Sequence, residues 1–188
     1  TNLAPLEGAK REMDLLQPFL ADNSHTHLGT DANETTLRAI PPSPAVLHLV
    51  THGFFLGDSR STDHRLQDFD DDPRPLYRSG LVLYGAKQSI AAPTPPDPLR
   101  DDILFASDVA SLPLHHTELV TLSSCQSALG ETLSGEGVLG LRRGFATAGA
   151  RHLLLTLWPV SDATTPDYMR RFYELATETG HLSQAAWQ

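Results

Sequence analysis

Four short apolar runs constrain this chain more than any other feature: Val46–Thr51 (VLHLVT), Leu81–Tyr84 (LVLY), Glu118–Ser123 (ELVTLS) and His152–Leu157 (HLLLTL). Short stretches rich in Val and Leu, without strict alternation, are typical of strands covered on both faces, as in parallel sheets. Helical patterns separate them. Val138, Leu141, Phe145 and Ala148 share one helical face, with Gly149 in the C-cap position. Thr165 can cap a further helix with Pro166 at its first position, and Met169, Phe172, Tyr173 and Ala176 then form its inner stripe. Gly180 ends that helix. Near the N-terminus Ala9, Met13, Leu16 and Leu20 fall on one face, and Pro18 predicts an end near Gln17. Asp31 and Glu34 have capping-box spacing and open a short helix that Pro41 and Pro42 close. Strands alternating with helices predict an α/β sandwich around a mostly parallel central sheet, in one domain over residues 1–188.

Two stretches break the alternation. Gly57–Arg78 carries Asp58, Asp63, Asp68, Asp70, Asp71 and Asp72 with little apolar content, and Ile90–Pro98 is rich in proline. Both are expected as surface loops. The acidic one has too few apolar residues to offset its ordering entropy, which makes Arg60, Arg65, Arg74 and Arg78 candidate accessible cleavage sites.

Charge narrows the partners. The net charge is −9 and no Lys/Arg cluster offsets it, so direct nucleic-acid binding is not expected. No apolar run reaches the roughly 18–20 residues of a membrane span, and the N-terminus lacks the order of a signal peptide. One cysteine rules out an intrachain disulfide and suits a reducing cytosol, so a cytoplasmic location is expected. The chain opens into a helical pattern and stops inside another at Ser183–Gln188, which reads as excision from a longer parent protein.

Ligands of open α/β sheets bind beyond the carboxyl ends of the strands. VLHLVT runs into His52-Gly53, and ELVTLSS runs into Cys125. If those strands are neighbours, imidazole and thiol face each other across the crevice. A free thiol, of pKa about 8.5, attacks slowly at neutral pH unless a neighbouring imidazole or helix N-terminus lowers that value. Acyl transfer also needs donors for the developing oxyanion. Gly53 can offer its N–H without a Cβ in the way, and the Cys125 N–H is a second donor. On these residues alone Cys125 can equally be a small buried hydrophobe and His52 a structural histidine.

At these positions the sequence strongly resembles the CHAT domains, a mainly bacterial branch of the caspase–separase group of cysteine peptidases. The matching text is LHLVTHGFF around His52, SGLVLYG at Ser79–Gly85 and ELVTLSSCQSALGE around Cys125. It continues through Gly135–Thr165 and Met169–Ala176. The resemblance implies a caspase-like three-layer sandwich, with His52 as base, Cys125 as nucleophile, and an oxyanion hole from Gly53 and Cys125. It implies a protein or peptide substrate and a regulatory region or partner such as a helical-repeat array; no cofactor and no metal are expected. The caspase pattern around the cysteine is not met, since this chain has Ser123-Ser124-Cys125-Gln126-Ser127. Cys125 follows His52 by 73 positions (125 − 52), against about 50 in caspases. Specificity for Asp is therefore not carried over. LWPVSD resembles instead a separase segment whose Asp lines a pocket for arginine, and Asp162 falls at that position. Asp162 can also be read as a cap of the helix begun near Thr164. Ser123 and Trp158 complete the expected substrate contacts, with Trp158 a pocket wall or a core residue.

Other patterns carry less. GETLSGEGVLG lacks the Gly-Lys-Ser/Thr end of a phosphate loop, His115-His116 with Cys125 has no zinc spacing, and the Asp cluster has no EF-hand order. The leading expectation is a cysteine endopeptidase. The alternatives are a non-catalytic caspase-like interaction module and an acyltransferase or non-peptide hydrolase using the same dyad.

Overall fold

A computed structural model of the chain describes residues 6–20, 22–41, 43–55, 75–91, 101–123, 135–155 and 163–180. In chain order its regular elements are α1 (Glu7–Leu16), α2 (Glu34–Arg38), β1 (Val46–Val50), β2 (His52–Phe55), β3 (Ser79–Val82) and α3 (Ala86–Ala91). They continue with β4 (Ile103–Phe105), α4 (Ala106–Val109), β5 (Leu119–Ser123), α5 (Gly135–Ala148), β6 (His152–Leu155) and α6 (Thr165–Thr179).

Three of the four apolar runs form a parallel sheet in the order β1-β5-β6. Val46 pairs with Leu119, His48 with Thr121 and Val50 with Ser123, while Leu119 pairs with His152 and Thr121 with Leu154. Side chains alternate across a strand, so this register sorts them into two sets. Leu47, Leu49, Val120, Leu122, Leu153 and Leu155 join the main core with Leu141, Phe145 and Ala148 of α5. On the other side Leu119 and Leu154 pack with Phe172, Leu175, Tyr173 and Ala176 of α6. Both faces carry apolar cover, which is why these runs lack the alternation of a half-solvated strand.

The run at Leu81–Tyr84 behaves differently from expectation. Its first two residues, Leu81 and Val82, end β3, which pairs antiparallel with β2 and with β4 in a second sheet of order β2-β3-β4. A short apolar run encodes burial but not the direction of its partner. Gly80 allows this pairing to be tight. A Cβ there would sit 2.5 Å from the Leu104 carbonyl oxygen and 2.7 Å from the Phe54 ring. Among the described residues the architecture is thus mixed α/β, with a parallel sheet, helices and a separate antiparallel sheet.

The helices follow their local signals with three corrections. α1 ends at Leu16, and Pro18 sits in a 3-10 turn at Gln17–Phe19, as its lost N–H dictates. Its buried stripe is Gly8, Glu12 and Leu16, with Ala9 and Met13 only half-buried and Leu20 exposed. The cap of α2 is Asn33, whose side chain accepts from the Thr36 N–H at 2.8 Å; Asp31 lies in the preceding 3-10 turn. Glu34, the first residue of α2, is fully buried and paired with Arg38 at 2.7 Å. Burial pushes its carboxyl up, and the Arg38 hydrogen bond and charge pull against that rise. α5 buries Leu141, Phe145 and Ala148 and stops at Gly149, whose φ of 102° suits glycine. In α6 Thr165 is the first helical residue and Thr164 occupies the cap position, with Gly180 at φ 67° closing the helix.

Most of the two irregular stretches lies outside the described residues. Pro75–Tyr77 forms a 3-10 turn, and Arg78 is buried with its guanidinium carbon 5.4 Å from the centroid of the Phe55 ring. Arg78 is therefore not the accessible cleavage site that sequence suggested. Ile90 and Ala91 belong to α3 rather than to a loop. No helix among the described residues is long and apolar enough to cross a membrane.

Candidate active site

β1 stops at Val50 and β2 begins at His52, so one residue, Thr51, joins the parallel sheet to the antiparallel one. Its N–H donates to the Ser123 carbonyl oxygen at 3.2 Å, extending the β1–β5 ladder by one bond. Its hydroxyl donates to the carbonyl of Val82 in β3. Thr51 is 9% exposed, so both bonds are shielded from water. The strand thus turns from one sheet into the other, with the next residue, half-buried His52, facing Val82 in register. Gly53 follows, buried and opposite Leu81.

Thr51→Val keeps the shape and removes the donor. Leaving the Val82 carbonyl without that donor costs about 1–3 kcal/mol, so thermal denaturation should show a clear loss of stability, with Thr51→Ser close to wild type. A Val variant as stable as wild type would show that the hydroxyl does not hold the junction.

Ser123, expected to contact substrate, is 3% exposed, and its hydroxyl donates to Glu12 Oε2 at 3.0 Å. Cys125, Trp158 and Asp162 lie outside the described residues.

The side of the sheet facing α1 and α6 carries a polar network that the sequence reading did not anticipate. Glu12 Oε1 meets His48 Nε2 at 2.9 Å, His48 Nδ1 meets the Tyr173 hydroxyl at 3.1 Å, and that hydroxyl meets Thr121 Oγ1 at 3.0 Å. Burial pushes the Tyr173 phenol up to about 12; the Thr121 hydrogen bond opposes this and the Glu12 charge adds to it. The phenol therefore stays protonated and can donate. One signal for this network does exist in the sequence. His48, Thr121 and Ser123 hold period-2 positions inside apolar runs, and Glu12 holds the same stripe as Leu16, four residues on.

The first strand of the parallel sheet hands over to a His-Gly pair opposite the end of the strand leading to the single cysteine, a mixed α/β arrangement that fits a caspase-like, peptidase-related family. The profile of the CHAT domain family matches residues 1–188, the whole chain, and the chain belongs to that family. Over 76 residues it is 41% identical to tetratricopeptide repeat protein 28 of Mus musculus, a stretch covering 40% of this chain and 3% of that protein. The Homo sapiens protein of the same name is 38% identical over 76 residues, with the same coverage. The match thus spans a small fraction of either relative. No solved structure gives a significant match.

Proposed function

We propose that this domain is a cysteine endopeptidase with a His52/Cys125 dyad in a caspase-like three-layer sandwich over residues 1–188. One observation carries the reading. β1 and β5 are adjacent and parallel, with Val50 level with Ser123, and each reactive residue stands two positions beyond that pair in sequence. A shared ladder end is what an imidazole and a thiol need in order to meet.

In this scheme His52 takes the Cys125 proton and the thiolate sulfur attacks the scissile carbonyl carbon. The oxyanion receives hydrogen bonds from the N–H groups of Gly53 and Cys125. Collapse breaks the C–N bond, and His52 returns its proton to the leaving amine. A water, deprotonated by His52, then attacks the acyl-enzyme and frees the carboxylate and the thiol. Every step is a proton or acyl transfer, so the dyad supplies the chemistry itself. Asp162 is assigned to a pocket for a basic residue before the cut bond, with Trp158 as its wall. Ser123, buried with its hydroxyl on Glu12 and its carbonyl on Thr51, is left out of the substrate contacts.

Membership in the CHAT family supports the dyad, and the name of the tetratricopeptide repeat relatives supports control by a helical-repeat region or partner. The cytoplasmic location is proposed from the single cysteine alone. The test is cleavage of a peptide library by wild type, Cys125→Ala and His52→Ala, read by mass spectrometry. Products from wild type alone support the peptidase; equal products from all three contradict it.

A further inference from the structure

Glu12 is 2% exposed, and the chemistry of the dyad makes no use of it. A buried carboxyl is costly unless its oxygens are bonded, and an apolar side chain would seat α1 more cheaply, as Leu16 does one turn on. Here both oxygens are engaged: Oε2 accepts from the Ser123 hydroxyl at 3.0 Å and Oε1 meets His48 Nε2 at 2.9 Å. One polarity satisfies every member of the network. Thr121 O–H donates to the Tyr173 oxygen, Tyr173 O–H to His48 Nδ1, and His48 Nε2–H and Ser123 O–H to Glu12. Outside the network, α1 is tied to the start of α6. One Arg11 nitrogen donates to the Ala163 carbonyl at 2.6 Å and another to Asp167 Oδ2 at 2.9 Å.

Ser123 is the last residue of β5 and stands two positions before Cys125. It is held from two directions. Its carbonyl accepts from Thr51, the residue before His52, and its hydroxyl is bound by Glu12. We propose that Glu12 is a positioning residue of the peptidase site, seating Ser123 and thereby fixing the point from which the chain leaves β5 toward Cys125. His48 and Tyr173 hold the carboxyl in that orientation. The proposal rests on the peptidase reading above, and it makes α1 part of the catalytic frame.

The test compares the full chain as wild type, Glu12→Ala, Glu12→Gln and Ser123→Ala. The chain has a single cysteine, so iodoacetamide labelling at pH 6.5 reads Cys125 alone. Misplacing a reacting group by about 1 Å costs up to about a hundredfold in rate, so Glu12→Ala should lower both labelling rate and kcat by roughly ten- to a hundredfold. KM should stay within about twofold, because substrate binding is untouched. Glu12→Gln should recover most of the loss, since its carbonyl can accept from His48 and its amide can donate to a turned Ser123 hydroxyl. Ser123→Ala, which leaves the helix contacts intact, should repeat the Glu12→Ala defect and decides the question if Glu12→Ala does not fold. Wild-type labelling and kcat in a folded Glu12→Ala or Ser123→Ala protein would overturn the proposal. So would a loss that merely tracks the unfolded fraction measured by melting. Hydrolysis that survives Cys125→Ala would instead remove the peptidase reading. Slow labelling in Glu12→Ala would then still support the positioning of the thiol.

Discussion

Cys125→Ala should reduce peptide hydrolysis to the uncatalysed background, while the protein keeps its circular dichroism and its melting temperature. The substitution removes one sulfur atom, and with it the only thiol that can form an acyl-enzyme in this chain. In enzymes that work through a nucleophile, removing it costs on the order of 10⁶ in kcat when its partners act as one unit. His52→Ala should cost less, about 10²–10⁴, because a thiol retains some nucleophilicity without its base. The order of the two effects matters. A dyad predicts the cysteine variant below the histidine variant and the double variant no worse than the cysteine variant alone. Additive losses would mean that the two residues act independently. Hydrolysis within tenfold of wild type in Cys125→Ala would remove the thiol from the mechanism.

Asp162→Asn should produce the second large change, and only for one class of substrate. A carboxylate at the base of a pocket pairs with a guanidinium in bidentate geometry that an ammonium cannot copy. The amide keeps the shape but leaves the substrate charge desolvated without an ionic partner. Losing one partner of such a pair costs on the order of 2–5 kcal/mol, roughly 30-fold to several-thousand-fold in kcat/KM. Matched substrates with Arg, Lys, Leu and Asp before the scissile bond should rank Arg first in wild type and lose that preference in the variant. A wild-type preference for Leu or Asp, or an Arg substrate cleaved equally well by the variant, would remove Asp162 from the specificity pocket. The dyad would stand either way.

The parallel sheet was legible because burial on both faces leaves a compositional mark. VLHLVT, ELVTLS and HLLLTL read as covered strands. β5 and β6 have apolar packing on both faces, while β1 packs Leu47 and Leu49 on one face and carries His48, bonded to Glu12, on the other. LVLY carries the same mark, yet it pairs antiparallel, because partner direction depends on where the chain comes from and not on the run itself. Helix ends at Pro18, Gly149 and Gly180 were legible from backbone chemistry. The start of α2 was not, because Asp31 and Asn33 both fit the cap and only the turn geometry chooses between them.

At the site, His52-Gly53 stands out through the family resemblance, whereas Thr51 does not. Its role comes from bonding to Ser123 and Val82, which are distant in sequence and converge only once the register is set. Glu12 was hidden for a related reason. A charged residue in a helical stripe reads as solvent-facing until its partners His48 and Ser123 are known to lie beneath it.

The most direct test of the account is the pH dependence of iodoacetamide labelling at the single cysteine, measured in wild type and in His52→Ala. If His52 activates the thiol, wild type should react rapidly between pH 6 and 7, well below the pKa of about 8.5 of a free thiol. The His52→Ala profile should then move up toward that free-thiol value. Superimposable profiles for the two proteins, both rising only near pH 8.5, would contradict a His52/Cys125 dyad.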